Sequence, residues 1–165
     1  MTTSNSDLGL GPGATVLVVG GRGFVGSHVV RHALAGGFRV HVVGPRMAVN
    51  LLADLEGRFG ETVGGIEDQS EMSRMIGDLR PGAIVSCAAF GAGTAGLMQS
   101  GEADADRAFA VNVDGFRRLI QIAQAHDVRR LVWTSSTVVY GPSADYAAEP
   151  VDEDARKAPR TIYGL

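Results

Sequence analysis

Gly20, Gly23 and Gly26 recur at every third residue directly after the apolar run Val16-Leu17-Val18-Val19. The first glycine permits a tight turn, the second a close approach of backbone to ligand, and the third close packing of a helix on the strand. The unpaired N–H groups of a helix starting at Phe24 and Val25, with the positive end of its dipole, would hold an anion. Strand, glycine turn and helix together therefore suit the pyrophosphate of a dinucleotide. A second group, Thr134-Ser135-Ser136-Thr137, gathers hydroxyls where a strand should end, which is where ligands sit in open α/β sheets. One of these hydroxyls would hydrogen-bond a substrate hydroxyl or carbonyl during hydride transfer. A third candidate is Tyr163, whose phenol would serve as general acid and base if a nearby cation stabilised its charged form. Small residues at Ala88 and Ala89, after another apolar run, would let a cofactor lie close.

Alternating periodicities supply the scaffold for these groups. Strands are expected over residues 14–20, 39–43, 62–66, 83–88 and 131–135, and helices over 24–35, 48–59, 70–79 and 104–126. Leu51, Leu52 and Leu55 would share the inner face of the second helix, and Phe109, Val113, Phe116, Ile120 and Ala123 that of the longest one. Residues 91–101, with four glycines, read as an irregular loop, and residues 141–158 as a long polar one; Pro159 is placed to open a further helix. Strands alternating with helices imply an α/β fold with a doubly wound parallel sheet. The expected organisation is a flexible leader over residues 1–13 and one dinucleotide-binding domain over residues 14–165.

A net charge of −3 gives no reason to expect a nucleic-acid partner or an anionic membrane surface. No apolar stretch approaches the roughly 20 residues a membrane-spanning helix needs, and the leader lacks a signal peptide's apolar middle. A single cysteine, Cys87, builds no disulfide framework, so a reducing cytoplasm is expected. No metal site is evident.

The order of several motifs extends the argument. Gly20-x-x-Gly23-x-x-Gly26, Cys87-Ala88-Ala89, Asn112-Val113-Asp114-Gly115, Thr134-Ser135-Ser136 with Val139-Tyr140-Gly141, and Tyr163-Gly164 stand in sequence along the chain. Together they resemble the N-terminal portion of an extended short-chain dehydrogenase/reductase, the NAD(P)-dependent sugar-nucleotide epimerase/dehydratase group. That resemblance implies a Rossmann-like sheet, here ending after about five strands, and an NAD(P) cofactor. It implies Ser136, or Thr137 beside it, as the substrate-binding hydroxyl, Tyr163 as catalytic acid/base, and Asn112 as a residue that holds the long helix and lines the site. It further implies a nucleotide-sugar or similar small substrate and a homodimer in the intact parent.

Where the chain departs from that pattern, the departures carry their own expectations. The acidic residue that NAD-preferring members place after the second strand is replaced by Gly44, with Arg46 close by and Arg22 inside the glycine loop. Guanidinium groups bind phosphate in fork geometry, so NADP is favoured over NAD. The third strand runs into Gly64-Gly65-Ile66 without the usual aspartate near the adenine. Thr137 and Val138 stand where related dehydratases carry Asp-Glu, which disfavours water elimination and favours epimerisation or simple oxidation and reduction. The lysine that would follow Tyr163 by four residues, and a later substrate lobe, lie outside this sequence. The chain therefore reads as an inactive portion of an oxidoreductase or epimerase, or alternatively as a dinucleotide-binding module without catalysis.

Overall fold

The computed structural model describes residues 10–91, 96–146 and 150–164; the rest of the expected leader, parts of the two expected loops and Leu165 lie outside the described residues. Five strands, β1 (Thr15–Val19), β2 (Arg39–Gly44), β3 (Gly60–Val63), β4 (Ala83–Ser86) and β5 (Arg130–Trp133), form one sheet in the order β3-β2-β1-β4-β5. Every pairing is parallel. This is the doubly wound, Rossmann-like arrangement. All five residues of β1 are buried, as a central strand covered on both faces requires.

Alternate residues of the central strands feed two cores. Val16 and Val18 of β1 and Val40 and Val42 of β2 pack with Val30 of helix α1 (Phe24–Ala35) and with Leu52 and Leu55. On the opposite face, Leu17, Val19, Val43 and Ile84 meet Met72, Met75 and Ile76 of α2 (Gln69–Leu79). The sheet reverses its winding between β1 and β4. The chain leaves β1 towards β2 and β3, then crosses back to β4, so the loops after β1 and β4 part and leave a crevice at the strands' C-terminal ends.

The structure corrects several expectations. Residues 48–59 form no α-helix; only a 3-10 turn, Ala53–Leu55, is present. The Asn50 side chain accepts from the Leu52 amide at 3.1 Å, a local turn that competes with helix, and Gly57 has φ +77°. Leu52 and Leu55 are nevertheless buried, because the core needs their side chains and not a helix. β3 ends two residues after Glu61, and Gly64-Gly65 carries the chain off the sheet so that Ile66 turns into the core. Within the expected glycine loop, residues from Gly96 onward form helix α3 (Gly96–Ala103). The expected helix opening at Pro159 is a 3-10 turn at Ile162–Gly164.

The long helix is also corrected. It consists of α4 (Ala105–Ala108), a π-helical segment Phe109–Gly115, and α5 (Phe116–Ala125). A π turn adds a residue to the helical repeat and rotates the residues beyond it. The inward residues are therefore Ala108, Leu119 and Ala123, while Phe109, Val113 and Ile120 are between 37% and 44% exposed. The shift is directly measurable. Leu119→Ala should cost about 2–5 kcal/mol of unfolding free energy and Ile120→Ala less than about 1 kcal/mol, read from urea melts; the reverse ranking would contradict the register.

Candidate functional site at the β1–β4 crevice

The glycine loop is built by close backbone contacts. Gly20 has φ +76°, a region that side chains disfavour, and its amide donates to the Val43 carbonyl at 2.7 Å. A Cβ on Gly20 would lie 2.7 Å from the Ala88 nitrogen and 2.8 Å from the Cys87 carbonyl carbon. The loops after β1 and β4 therefore touch with no room for a side chain between them. The Gly23 amide closes the turn on the Gly20 carbonyl at 3.0 Å. A Cβ on Gly26 would run into that same carbonyl oxygen, so only glycine lets α1 sit this close to β1. Gly23 caps α1 with no side-chain acceptor, and no acidic residue stands in the first turn. The helix thus keeps its N-terminal field for an external anion.

Two cavities open along the crevice. The larger, about 640 Å³, is walled by Gly20, Arg22, Gly23, Phe24, Val25 and Gly26 on one side. Gly44 at the end of β2 and residues that follow β2, β3 and β4 complete it, among them Met47, Gly65, Cys87, Ala88 and Ala89. The smaller, about 210 Å³, is lined by Asn112, Trp133, Thr134, Ser135, Ser136 and Tyr163 among others. Ala88 and Ala89 line both cavities and form the wall at which they meet. Burial pushes the Cys87 thiol above its ordinary pKa, so at neutral pH it behaves as a small apolar wall residue.

Most of the residues singled out in the sequence converge here, but two do not. Arg46 is exposed and does not line the larger cavity. Thr137 opens the 3-10 turn Thr137–Tyr140 and is absent from the lining, while Ser136 is part of it. Asn112, expected to hold the long helix and line the site, lines the smaller cavity, and its carboxamide oxygen accepts from the Phe90 amide at 2.8 Å. It sits within the π-helical segment and pins the loop that leaves β4.

Tyr163 reaches the smaller cavity from the far end of the chain. Gly141, with φ +77°, starts the return, and the Ala158 amide donates to the Val139 carbonyl at 2.9 Å. The Tyr146 hydroxyl lies against the Tyr140 carbonyl and 2.8 Å from that of Arg156, and Arg160 pairs with Asp145 at 2.6 Å. Glu102 of α3 accepts from the Ile162 amide at 2.7 Å. Sequence reading missed α3 because it took the glycines as helix breakers; Gly101 lies within the helix and faces Tyr163, whose Cβ would be 3.7 Å from a Cβ at that position, an ordinary contact. Among the described residues no group of His, Cys, Asp or Glu is placed to hold a metal ion, and no helix is long and apolar enough to cross a membrane.

A parallel sheet with a glycine turn at its switch point and a hydroxyl- and phenol-lined cavity beside it defines a Rossmann-like protein of the extended short-chain dehydrogenase/reductase kind. The model of the NAD dependent epimerase/dehydratase family matches residues 16–165, and the chain belongs to that family. It is 32% identical over 165 residues to UDP-glucose 4-epimerase 4 of Oryza sativa subsp. japonica, covering 93% of this chain and 42% of that protein. Over 140 residues it is 33% identical to the Bos taurus UDP-glucose 4-epimerase, covering 76% of this chain and 38% of that one. Among solved structures, UDP-glucose-4-epimerase from Stenotrophomonas maltophila, with bound NAD and formylated UDP-arabinopyranose, superposes with a TM-score of 0.79 at 25% identity, covering 92% of this chain and 44% of that one. The Bordetella bronchiseptica enzyme WbmG, in complex with NAD and UDP, gives 0.75 at 25% identity, covering 90% and 45%. The chain spans about two-fifths of the length of the curated relatives it matches.

The thiol offers a local test of the cavity. Because burial raises the Cys87 pKa, the thiolate fraction at mildly alkaline pH is below that of a free cysteine, and alkylation by iodoacetamide should be slower. Alkylation at the free-cysteine rate would contradict this placement.

Proposed function

We propose that the chain binds a nicotinamide dinucleotide in the larger cavity and supplies the cofactor-binding and acid/base portion of a nucleotide-sugar epimerase or related oxidoreductase. The observation that carries this reading is the shared wall at Ala88 and Ala89. It puts a cavity fronted by an uncapped helix N-terminus against one lined by Ser136 and Tyr163. A pyrophosphate at the glycine loop would leave the rest of the dinucleotide to run towards that wall. NAD, when bound, supplies a hydride acceptor. Ser136 would hold the substrate oxygen by hydrogen bond, and Tyr163 would take the proton from the substrate hydroxyl and return it. Thr137, outside the lining, is the weaker choice for the hydroxyl.

Relatives named as UDP-glucose 4-epimerases and neighbours holding NAD support a UDP-sugar as substrate and NAD as cofactor. The preference for NADP expected from two arginines draws little support from the geometry: Arg46 is off the cavity, and Arg22 is ion-paired to Glu61. A cytoplasmic setting accords with the lone cysteine. A homodimer through the long helix accords with the exposed Phe109, Val113 and Ile120. A second reading, binding without turnover, is favoured by one feature: among the described residues no charged side chain lines the smaller cavity, so none of them would stabilise a charged proton-transfer group there.

Trp133 lines the smaller cavity and packs against Phe116, with ring centroids 5.5 Å apart. Titration with NADH should quench its emission saturably and raise nucleotide emission by energy transfer. Absence of saturable binding in a chain that melts cooperatively would overturn the proposal. Incubation with NAD and UDP-glucose then separates the two readings. Turnover abolished by Tyr163→Phe, with NADH binding kept within about twofold, supports the catalytic one; binding without turnover supports the module.

A further inference from the structure

We propose that the ion pair between Arg22 and Glu61 sets which dinucleotide the larger cavity accepts, with Glu61 as the residue that selects against a 2′-phosphate. The inference rests on the dinucleotide reading above and adds a specificity element to it.

Position 44, at the end of β2, carries no carboxylate to take a ribose 2′-hydroxyl and exclude a phosphate, because it is glycine. Two arginines line the cavity: Arg107, paired with Glu67 at 3.9 Å, and Arg22, which belongs to the glycine loop itself. Left alone, a guanidinium there would grip a 2′-phosphate through two parallel N–H bonds. It is not left alone. Glu61 lies on β3 opposite Val42, and its carboxylate pairs with the Arg22 guanidinium. The acid that β2 lacks is thus supplied one strand further out, and it acts through the arginine instead of on the ribose.

The exposures of the two side chains decide how the pair behaves. Arg22 is 18% exposed and Glu61 47%. Arg22 is too enclosed to be an idle surface cation, and its charge is committed to the cavity wall. Glu61 is wet enough to lose its partner without stranding a buried charge. A dinucleotide bearing a 2′-phosphate must displace this carboxylate and then sit near it, whereas one bearing a hydroxyl need not. The pair therefore biases the cavity towards NAD, and removing the carboxylate alone should release the arginine for phosphate.

Equilibrium titrations of the full chain with NADPH and NADH, for the parent sequence, Glu61→Gln, Arg22→Gln and the double variant, test this. Glu61→Thr serves as a second replacement suited to a strand, and thermal melts confirm that each variant is folded. With Glu61→Gln or Glu61→Thr, NADPH should bind about tenfold tighter, as expected for an unopposed arginine–phosphate contact, while NADH changes less than about twofold. In the Arg22→Gln background the Glu61 replacement should have no effect on the ratio, which a merely structural role for Glu61 would not produce. An NADPH-to-NADH ratio unmoved by either replacement, or one that moves equally without Arg22, overturns the inference while leaving NADH binding and the dinucleotide reading intact. No saturable binding of either nucleotide by the parent chain overturns that reading, and this inference with it.

Discussion

The backbone of the loop after β1 rests directly on the backbone of the loop after β4. Gly20 makes this possible, since any Cβ there would lie inside contact distance of Cys87 and Ala88. The contact falls where the sheet changes winding direction, and it fixes how far apart the two loops diverge beyond it. The cavity walls depend on it. Gly23 closes the turn, Gly26 brings α1 against β1, and the uncapped helix end faces the space that the parted loops leave open. A methyl group at either end of this loop would push the helix, the turn and the β4 loop apart together.

The β4 loop has a second restraint, from the opposite layer. Asn112 holds the Phe90 amide from within a π-helical segment, and the same segment rotates α5 so that Leu119 and Ala123 enter the core. π turns cost hydrogen-bond geometry and concentrate at functional sites, which fits a helix serving the sheet at one end and a cavity at the other. The smaller cavity is completed from far along the chain, by the strap of residues 137–146 and 150–164 that Gly141, Tyr146 and Arg160 tie back.

Much of this was legible in the residues themselves. The strand-turn-helix at residues 15–35 was, because three glycines at fixed spacing between a buried strand and a helical repeat mark a tight turn, although the β4 loop that Gly20 meets lies far along the chain. The parallel sheet was legible too, since buried strands of valine and isoleucine between helical repeats have few other solutions. The failures have two physical causes: a local side-chain turn in one place and contacts from distant parts of the chain in others. The leucines at 51, 52 and 55 have helical spacing, yet an asparagine turn shapes the backbone and the core takes only two of them. Gly101 faces Tyr163 from within α3, while composition read the glycines of this stretch as a loop. The π turn leaves no periodic trace before the register slips. Arg22 was visible as a cation near a phosphate-binding loop, but the carboxylate that claims it stands two strands away at residue 61. Charges recruited across a sheet cannot be paired from sequence spacing.

The central claim is that this backbone-on-backbone crevice receives a dinucleotide. Backbone amide resonances tracked by NMR during an NADH titration address it most directly, because the proposed contacts are made by main-chain N–H groups. The account predicts that amides of residues 20–26 and 87–90 shift together with one saturation curve, while those on the outer face of α2 stay still. Saturable shifts confined to another surface, or none in a folded chain, would contradict it.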